Sequence, residues 1–267
     1  MTDLSDADRG EALIAVRGLS HALAKPNRDA VILAEGNTSV RIAGGMLVKA
    51  SGIEMAAAGN DDFVELSLAP ILQLIAQFDP SDAGAATATD VSVTEAFKAA
   101  RRWGLKRPSV EALLHAVCLE LDGIEAVGHT HPVAVNSLLC SANASLLVAG
   151  SLFPDQIVVL GTNPLLIPYV DPGLPLAAVV RAELAEHVER TGRAPKVIYL
   201  QNHGMFALGA SPEEVLQITD MAIKVARVIL GSLAAGGPTF LSAEQAARID
   251  SRPDEHYRRV ALGGSLA

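Results

Sequence analysis

The sequence has 267 residues, of which 50% are hydrophobic and only 4% aromatic, a balance typical of an α/β enzyme. A formal net charge of −9, with no stripe of basic residues, excludes a nucleic-acid partner. No apolar run reaches about 18 residues and no basic-then-apolar leader opens the chain, so we expect no membrane partner and a cytoplasmic location. Cys118 and Cys140 lack CxxC spacing, which argues against a disulfide framework or a thiolate metal site.

The first third of the chain alternates helical and strand-like patterns. Apolar residues recur at helical spacing over residues 5–24. Gly44-Gly45, between two strand-like runs, predicts a hairpin. A helix should begin near Ala69-Pro70, where proline is tolerated. The strand-like runs are residues 31–33, 39–42, 46–49 and 63–66.

The rest of the chain also mixes helices and strands. Residues 79–94 are small and polar, predicting a long loop, and the proline-rich segment 164–175 predicts an extended crossing loop. Ser211-Pro212 predicts a helix start. Helices are predicted at 110–121, 133–139, 176–190 and 212–233, and strands at 124–131, 157–160, 197–201 and 205–208. The tail after Gly236 is weakly patterned. Hairpins among helices indicate a mixed or antiparallel sheet.

Three histidines stand where strands are predicted to end. His129 and His131 are separated by one residue, and Pro132 stops their strand. Residues i and i+2 of a strand share a face, so both imidazoles reach one point. His203 follows the strand-like run of residues 197–201. Three histidines suit a catalytic divalent metal such as zinc; the alternative is that each merely satisfies a local turn.

Five short motifs extend this pattern over residues 10–235, and their order and spacing resemble the class II aldolase/adducin family. The motifs are Gly36-Asn37-Thr38-Ser39, Lys49-Ala50-Ser51-Gly52, Pro108-Ser109-Val110-Glu111, His129-Thr130-His131-Pro132 and Asn202-His203-Gly204. The segment from Val170 to Leu176 resembles the aldolase half of aldolase/short-chain dehydrogenase fusions, although these 267 residues show no dehydrogenase half.

The resemblance implies a fold and a chemistry. The expected fold class is α/β, a three-layer α/β/α sandwich with a central mixed, largely antiparallel sheet, in a domain of residues 1–240 with a tail of residues 241–267. Zinc, or manganese, cobalt or iron, is expected on His129, His131 and His203, with Glu111 as the catalytic carboxylate. The implied activity is a metal-dependent lyase that cleaves or forms a carbon–carbon bond in a hydroxyketone or sugar phosphate through a metal-stabilised enediolate.

The resemblance also implies a substrate pocket. Its residues match positions that grip the substrate phosphate in sugar-phosphate members: Gly36, Asn37, Ser51, Gly52 and Ser109. Turn chemistry is the alternative for the first two of these residues. Several members have a second serine where this chain has Val110, so one donor is lost. Lys49 could supply compensating charge, but we expect a solvated lysine.

Other functions remain open at this point. A decarboxylase, an epimerase or a dehydratase would use the same scaffold, and an iron-dependent oxygenase is compatible with the ligands. A non-catalytic adducin-like interaction module is the alternative from another class, but such modules lack the metal histidines. For Glu111, the helix macrodipole alone would favour a carboxylate there.

The remaining expectations concern other histidines and assembly. His115 lies one helical turn after Glu111, and we expect a core histidine, with a supporting role near the metal as the alternative. The histidines at positions 21, 187 and 256 are predicted at the surface. The resemblance implies a homotetramer whose active sites lie at subunit interfaces, with the tail after Gly236 approaching a neighbouring metal.

Overall fold

The computed structural model describes residues 5–78 and 85–252, with the side chains of 85–89 left aside. The helices are α1 (Asp6–Leu23), α2 (Leu68–Gln77), α3 (Ala85–Ala100), α4 (Ala112–Glu120), α5 (Val133–Leu139), α6 (Pro154–Leu160), α7 (Leu174–Thr191), α8 (Pro212–Leu233) and α9 (Ala243–Asp250). The strands are β1 (Asn37–Ile42), β2 (Gly45–Lys49), β3 (Phe63–Ser67), β4 (Arg101–Trp103), β5 (Ala126–Thr130), β6 (Leu165–Ile167), β7 (Val197–Leu200) and β8 (Gly204–Gly209).

Within these ranges the strands form one sheet in the order β4-β3-β2-β1-β5-β8-β7-β6. Neighbouring strands are antiparallel except β6 and β7, which are parallel. One face packs against α2, α3, α4 and α7, and the other against α1, α5 and α8. The predicted fold class, a three-layer α/β/α sandwich with a mixed, largely antiparallel sheet, is confirmed.

The pleat of β5 decides which helices face its histidines. Val127 belongs to the apolar cluster on the α4 side, whereas Ala126 belongs to the cluster on the α8 side. His129 has the parity of Val127, so its side chain points toward α4. Strand β5 lies between β1 and β8, with His129 opposite Asn37 on one side and opposite Phe206 on the other. The histidine pair therefore lies at the end of a strand in the middle of the sheet.

Two strand predictions are wrong. Residues 157–160 lie in helix α6, which begins at Pro154 with Asp155 in its first turn. Four consecutive apolar residues fit a buried helix as well as a strand, and the proline start signal decides between them. Residues 31–33 form no strand, because Ile32 and Leu33 are exposed and Leu33 has a φ of 52°.

Two loop predictions also need correction. Residues 85–94 lie in α3, whose Val93, Phe97 and Ala100 are buried at helical spacing; residues 79–84 lie outside the described residues. The segment 164–175 contains β6 and the start of α7. Within the described part of the predicted tail, Ala243–Asp250 form α9, which begins with a capping box of Ser242 and Gln245; residues 253–267 lie outside the described residues.

Residues 237–252 pack on the rest of the molecule. The Leu241 N–H donates to the Ser151 carbonyl at 2.8 Å, and Arg193 forms an ion pair with Asp250 at 2.9 Å. In the described ranges no helix combines the length and apolar character that crossing a membrane requires.

Candidate metal centre

Three elements deliver the predicted histidines to one place. Strand β5 carries His129, and His131 follows it directly. His203 stands in the tight turn between β7 and β8, where Asn202 adopts a left-handed φ of 55°. The Asn136 side chain on α5 donates to the His203 carbonyl at 3.0 Å and so fixes this turn. The turn thus places His203 beside the pair.

The glycine after His203 is required by its neighbours. A Cβ at Gly204 would lie 2.4 Å from His131 Cδ2 and 2.7 Å from the Thr130 carbonyl oxygen. It would also approach His129 Cε1 to 3.3 Å. Any side chain at this position would therefore push the imidazoles apart or move the backbone of β5.

The potential ligand atoms of His129, His131, His203 and Glu111 all lie within 4.8 Å of one another. Glu111 Oε1 is 3.0 Å from both His129 Nε2 and His203 Nε2. The side chain of His129 is fully buried, whereas His131 and His203 are 20% and 14% exposed. The cluster has a protein floor and a side open to solvent, which is the layout of a catalytic metal site.

The hydrogen bonds of two imidazoles favour a cation between them. His129 Nδ1 is 3.0 Å from the Met205 carbonyl oxygen, and His131 Nδ1 is 3.0 Å from Glu35 Oε2. Carbonyl and ionised carboxylate oxygens only accept, so both Nδ1 atoms carry hydrogen. In neutral rings the two Nε2 atoms, 2.9 Å apart, would then face each other with lone pairs. A proton or a divalent metal ion relieves that repulsion, and the donor set fits a metal.

Glu111 is held at the N-terminus of α4, the position that the sequence predicts. Asn37 Nδ2 donates to Glu111 Oε2 at 2.5 Å, and the Glu111 N–H donates to Ser109 Oγ at 3.3 Å. Burial alone would raise the pKa of Glu111, but the positive charge of His129 and hydrogen bonds from His129 and His203 hold that pKa well below its usual range. Glu111 is therefore an anion that faces the histidines.

The predicted pocket residues lie in three segments around Glu111. Asn37 and Ser109 contact it directly, as described above. The Ser51 N–H donates to the Arg107 carbonyl at 2.9 Å, which places Ser51 and Gly52 alongside the segment leading to Ser109. Gly36 has a φ of 75°, and a Cβ there would lie 3.0 Å from the His129 carbonyl oxygen. Their role in holding a phosphate stays a prediction.

His115 is a core histidine, as expected. It is wholly buried, and its Nδ1 lies 2.7 Å from Ser39 Oγ. Its ring meets Phe206 edge-on, and Phe206 stacks on His129 with 4.2 Å between centroids. Burial lowers the pKa of His115 to about 3, so this ring is neutral. His115 packs one aromatic ring away from the metal candidates.

Two side chains predicted at the surface are buried. His187 is 2% exposed because it faces the core side of α7. Lys49, at the end of β2, is 1% exposed, and its ammonium group donates to the carbonyls of Ala50 at 3.2 Å and Ile53 at 2.6 Å. Two carbonyl oxygens replace the water that a solvated lysine would have.

Replacing Lys49 with methionine is expected to change how stability depends on pH. Burial lowers the pKa of Lys49 from 10.5 to about 8, against the opposing attraction of Glu111 and Asp62. Between these values the unfolded chain binds more protons than the folded chain, so wild-type stability rises with pH relative to the variant. The unfolding free energy of the wild type minus that of Lys49→Met should rise by about 3 kcal/mol between about pH 7 and pH 11. Urea denaturation at each pH measures both free energies.

The exposed Lys98 on α3 offers the matched control, since Lys98→Met should leave the pH dependence of the wild type unchanged. A stability difference between wild type and Lys49→Met that stays constant over this pH range would contradict the depressed pKa.

Glu35 is a residue at the site that the sequence reasoning missed. Its carboxylate contacts His131, although it lies 96 positions earlier in the chain. The available signal was an acidic residue directly before the first motif, two positions before Asn37, where turn chemistry alone would not require it.

Comparison with known proteins gives a family and relatives. Residues 19–230 match the family model described as Class II Aldolase and Adducin N-terminal domain. The chain is 30% identical over 183 residues to the 5-methylthioribulose-1-phosphate/5-deoxyribulose-1-phosphate aldolase of Escherichia coli O45:K1, covering 68% of this chain and 66% of that protein. It is 31% identical over 120 residues to the uncharacterized oxidoreductase YuxG of Bacillus subtilis, covering 45% of this chain and 15% of that protein.

A solved structure supports the fold independently. The structure of an L-fuculose 1-phosphate aldolase matches with a TM-score of 0.66 at 19% identity, covering 92% of this chain and 96% of that one. At this identity the match concerns the fold alone. The curated matches span less than two thirds of either relative's own length.

Proposed function

This chain belongs to the class II aldolase and adducin N-terminal domain family, and on that premise we propose that it is a metal-dependent lyase. Its reaction would cleave or form a carbon–carbon bond in a hydroxyketone or a sugar phosphate. The metal would be zinc, or manganese, cobalt or iron, bound by His129, His131 and His203.

One observation carries this proposal: three imidazoles and one carboxylate converge within 4.8 Å at a partly open face of the sheet. A bound divalent ion would polarise the two oxygens of a hydroxyketone and stabilise the negative charge that develops on them. The buried His129, held by the Met205 carbonyl, would fix the floor of the site. A non-catalytic interaction module has no need for this convergence.

Glu111 is the proposed proton carrier. It is an anion, it lies beside the histidines, and its side chain is 15% exposed, so a substrate could reach it. Asn37 orients one carboxylate oxygen, which leaves the other oxygen directed at the imidazoles. A carboxylate held in this way can take a proton from a substrate hydroxyl or carbon and return it later.

A phosphorylated ketose is the proposed substrate class. Asn37, Ser51 and Ser109 with the backbone at Gly36 and Gly52 would bind its phosphate through small donors. The name of the E. coli relative, an aldolase for two ribulose 1-phosphates, supports this choice. Epimerisation, decarboxylation and dehydration remain the alternative reactions on the same scaffold.

We also propose a homotetramer, in which a neighbouring chain closes each site. Light scattering would measure the mass of the assembly.

We expect the purified protein to contain one equivalent of a divalent metal and to release an aldehyde from ketose 1-phosphates. Metal content is measured by plasma emission, and aldehyde release is compared for 5-methylthioribulose 1-phosphate, fuculose 1-phosphate and their unphosphorylated forms. His131→Ala should lose the metal and the activity, while His21→Ala, on an exposed position of α1, should keep both. Wild-type protein that binds no metal from a zinc buffer would overturn the proposal.

A further inference from the structure

The loop before β1 borders the histidine cluster, and we call residues 30–36 the rim loop. The Ala30 carbonyl accepts from the His131 N–H at 2.8 Å, so the start of the loop is bonded to the backbone of a candidate ligand. Ile32 and Leu33 are 65% and 78% exposed, and Leu33 is held at a φ of 52°. An exposed leucine in a left-handed conformation needs an interaction beyond its own backbone preference to stay there.

The constraint is the Glu35 side chain. Glu35 Oε1 accepts from the Ile32 N–H at 2.7 Å, closing the loop on itself. Glu35 Oε2 lies 3.0 Å from His131 Nδ1. One carboxylate therefore holds both the strained part of the rim loop and one of the candidate metal ligands.

This arrangement differs from that of the other histidine of the pair. His129 Nδ1 is held by a carbonyl in β8, which belongs to the rigid sheet. His131 Nδ1 is held by a side chain from a loop with no regular structure. A carboxylate on the far nitrogen fixes the tautomer that presents Nε2 and makes that nitrogen a stronger ligand. The ligating ability of His131 thus depends on where the rim loop is.

We propose that Glu35 is a positioning residue that couples metal binding at His131 to the order of the rim loop. This inference rests on the metal site of the proposed function. Because coupling between two equilibria is reciprocal, the metal orders the loop to the same extent that the ordered loop strengthens the metal site. The exposed Ile32 and Leu33 are then held more firmly at the mouth of the site when the metal is bound.

The first test is zinc affinity, measured by competition with a chromogenic chelator. Glu35→Gln has the same size but only one acceptor oxygen, so it cannot satisfy both donors. We expect zinc to bind this variant about 10–100-fold more weakly than the wild type. Glu11→Gln, on an exposed position of α1, is the matched control and should bind zinc like the wild type.

The second test is hydrogen exchange at the Ile32 amide with and without zinc. Zinc should slow this exchange in the wild type and should not slow it in Glu35→Gln. Thermal unfolding in chelator separates positioning from a general structural role, since the two proteins should melt alike there.

Equal zinc affinities, or equal protection of Ile32 by zinc in both proteins, would overturn the coupling while leaving the metal site intact. A lower melting temperature of Glu35→Gln in chelator that accounts for the whole affinity loss would also overturn it. A wild type that binds no zinc would instead refute the proposed function, and the coupling with it.

Discussion

Replacing Glu111 with glutamine is expected to cut turnover by about 10²–10⁴-fold while the protein keeps its metal. Glutamine preserves the size of the side chain and the contact with Asn37, but it cannot take up a proton at neutral pH. The three imidazoles remain to hold the ion. Turnover at saturating substrate and metal content by plasma emission measure the two effects on one preparation.

Glu120 is the matched control for this variant. It lies at the other end of α4 and is paired with Arg181 at 2.9 Å in a partly exposed ion pair. Glu120→Gln should leave turnover and metal content unchanged. Wild-type turnover in Glu111→Gln would reduce Glu111 to a carboxylate that is merely favourable at a helix N-terminus.

Replacing Gly204 with alanine is expected to weaken zinc binding and to lower the free energy of unfolding by about 1–3 kcal/mol. The new Cβ would overlap the His131 ring at 2.4 Å and the Thr130 carbonyl at 2.7 Å. A ring can rotate, but the carbonyl belongs to the β5 backbone in the middle of the sheet. Urea denaturation in chelator measures stability, and chelator competition measures zinc affinity.

Gly231 on α8 offers the opposite case, because a Cβ there would meet nothing within 4 Å. Gly231→Ala should leave zinc affinity unchanged and raise stability by about 0.5–1 kcal/mol through helix propensity. An unfolding free energy and a zinc affinity of Gly204→Ala equal to those of the wild type would contradict this prediction. The three atoms around this glycine would then be able to move aside without cost.

The fold elements with local start or stop signals could be predicted from sequence. The hairpin at Gly44-Gly45 and the start of α8 at Ser211-Pro212 each depend on neighbouring residues alone, and both are confirmed. Helix α6 was missed because its four apolar residues have no period of their own. Residues 31–33 of the rim loop were mistaken for a strand because they are apolar, although Ile32 and Leu33 are exposed and the Ile32 N–H is held by the side chain of Glu35 and not by a neighbouring strand.

The residues of the candidate site show the same contrast between those with a local sequence signal and those without one. Strand alternation brings His129 and His131 together and a predicted strand end adds His203, while Glu111 required the order of motifs along the chain. The burial of Lys49 could not be predicted, because its partners are backbone carbonyls in the following turn. Glu35 was missed because its role depends on two loops meeting, which no single stretch of sequence encodes.

The two outer strands of the sheet restrict how copies of this chain can associate. Both β4 and β6 are three residues long, and Pro164 and Pro168 flank β6. On the other border, Arg102 of β4 pairs with Glu65 at 2.9 Å, and the ladder between β3 and β4 slips register beside that residue. Short, proline-flanked or charged borders resist strand-to-strand joining. Association of several copies would therefore proceed through helical faces and loops, and the sheet of one copy would not continue into that of the next.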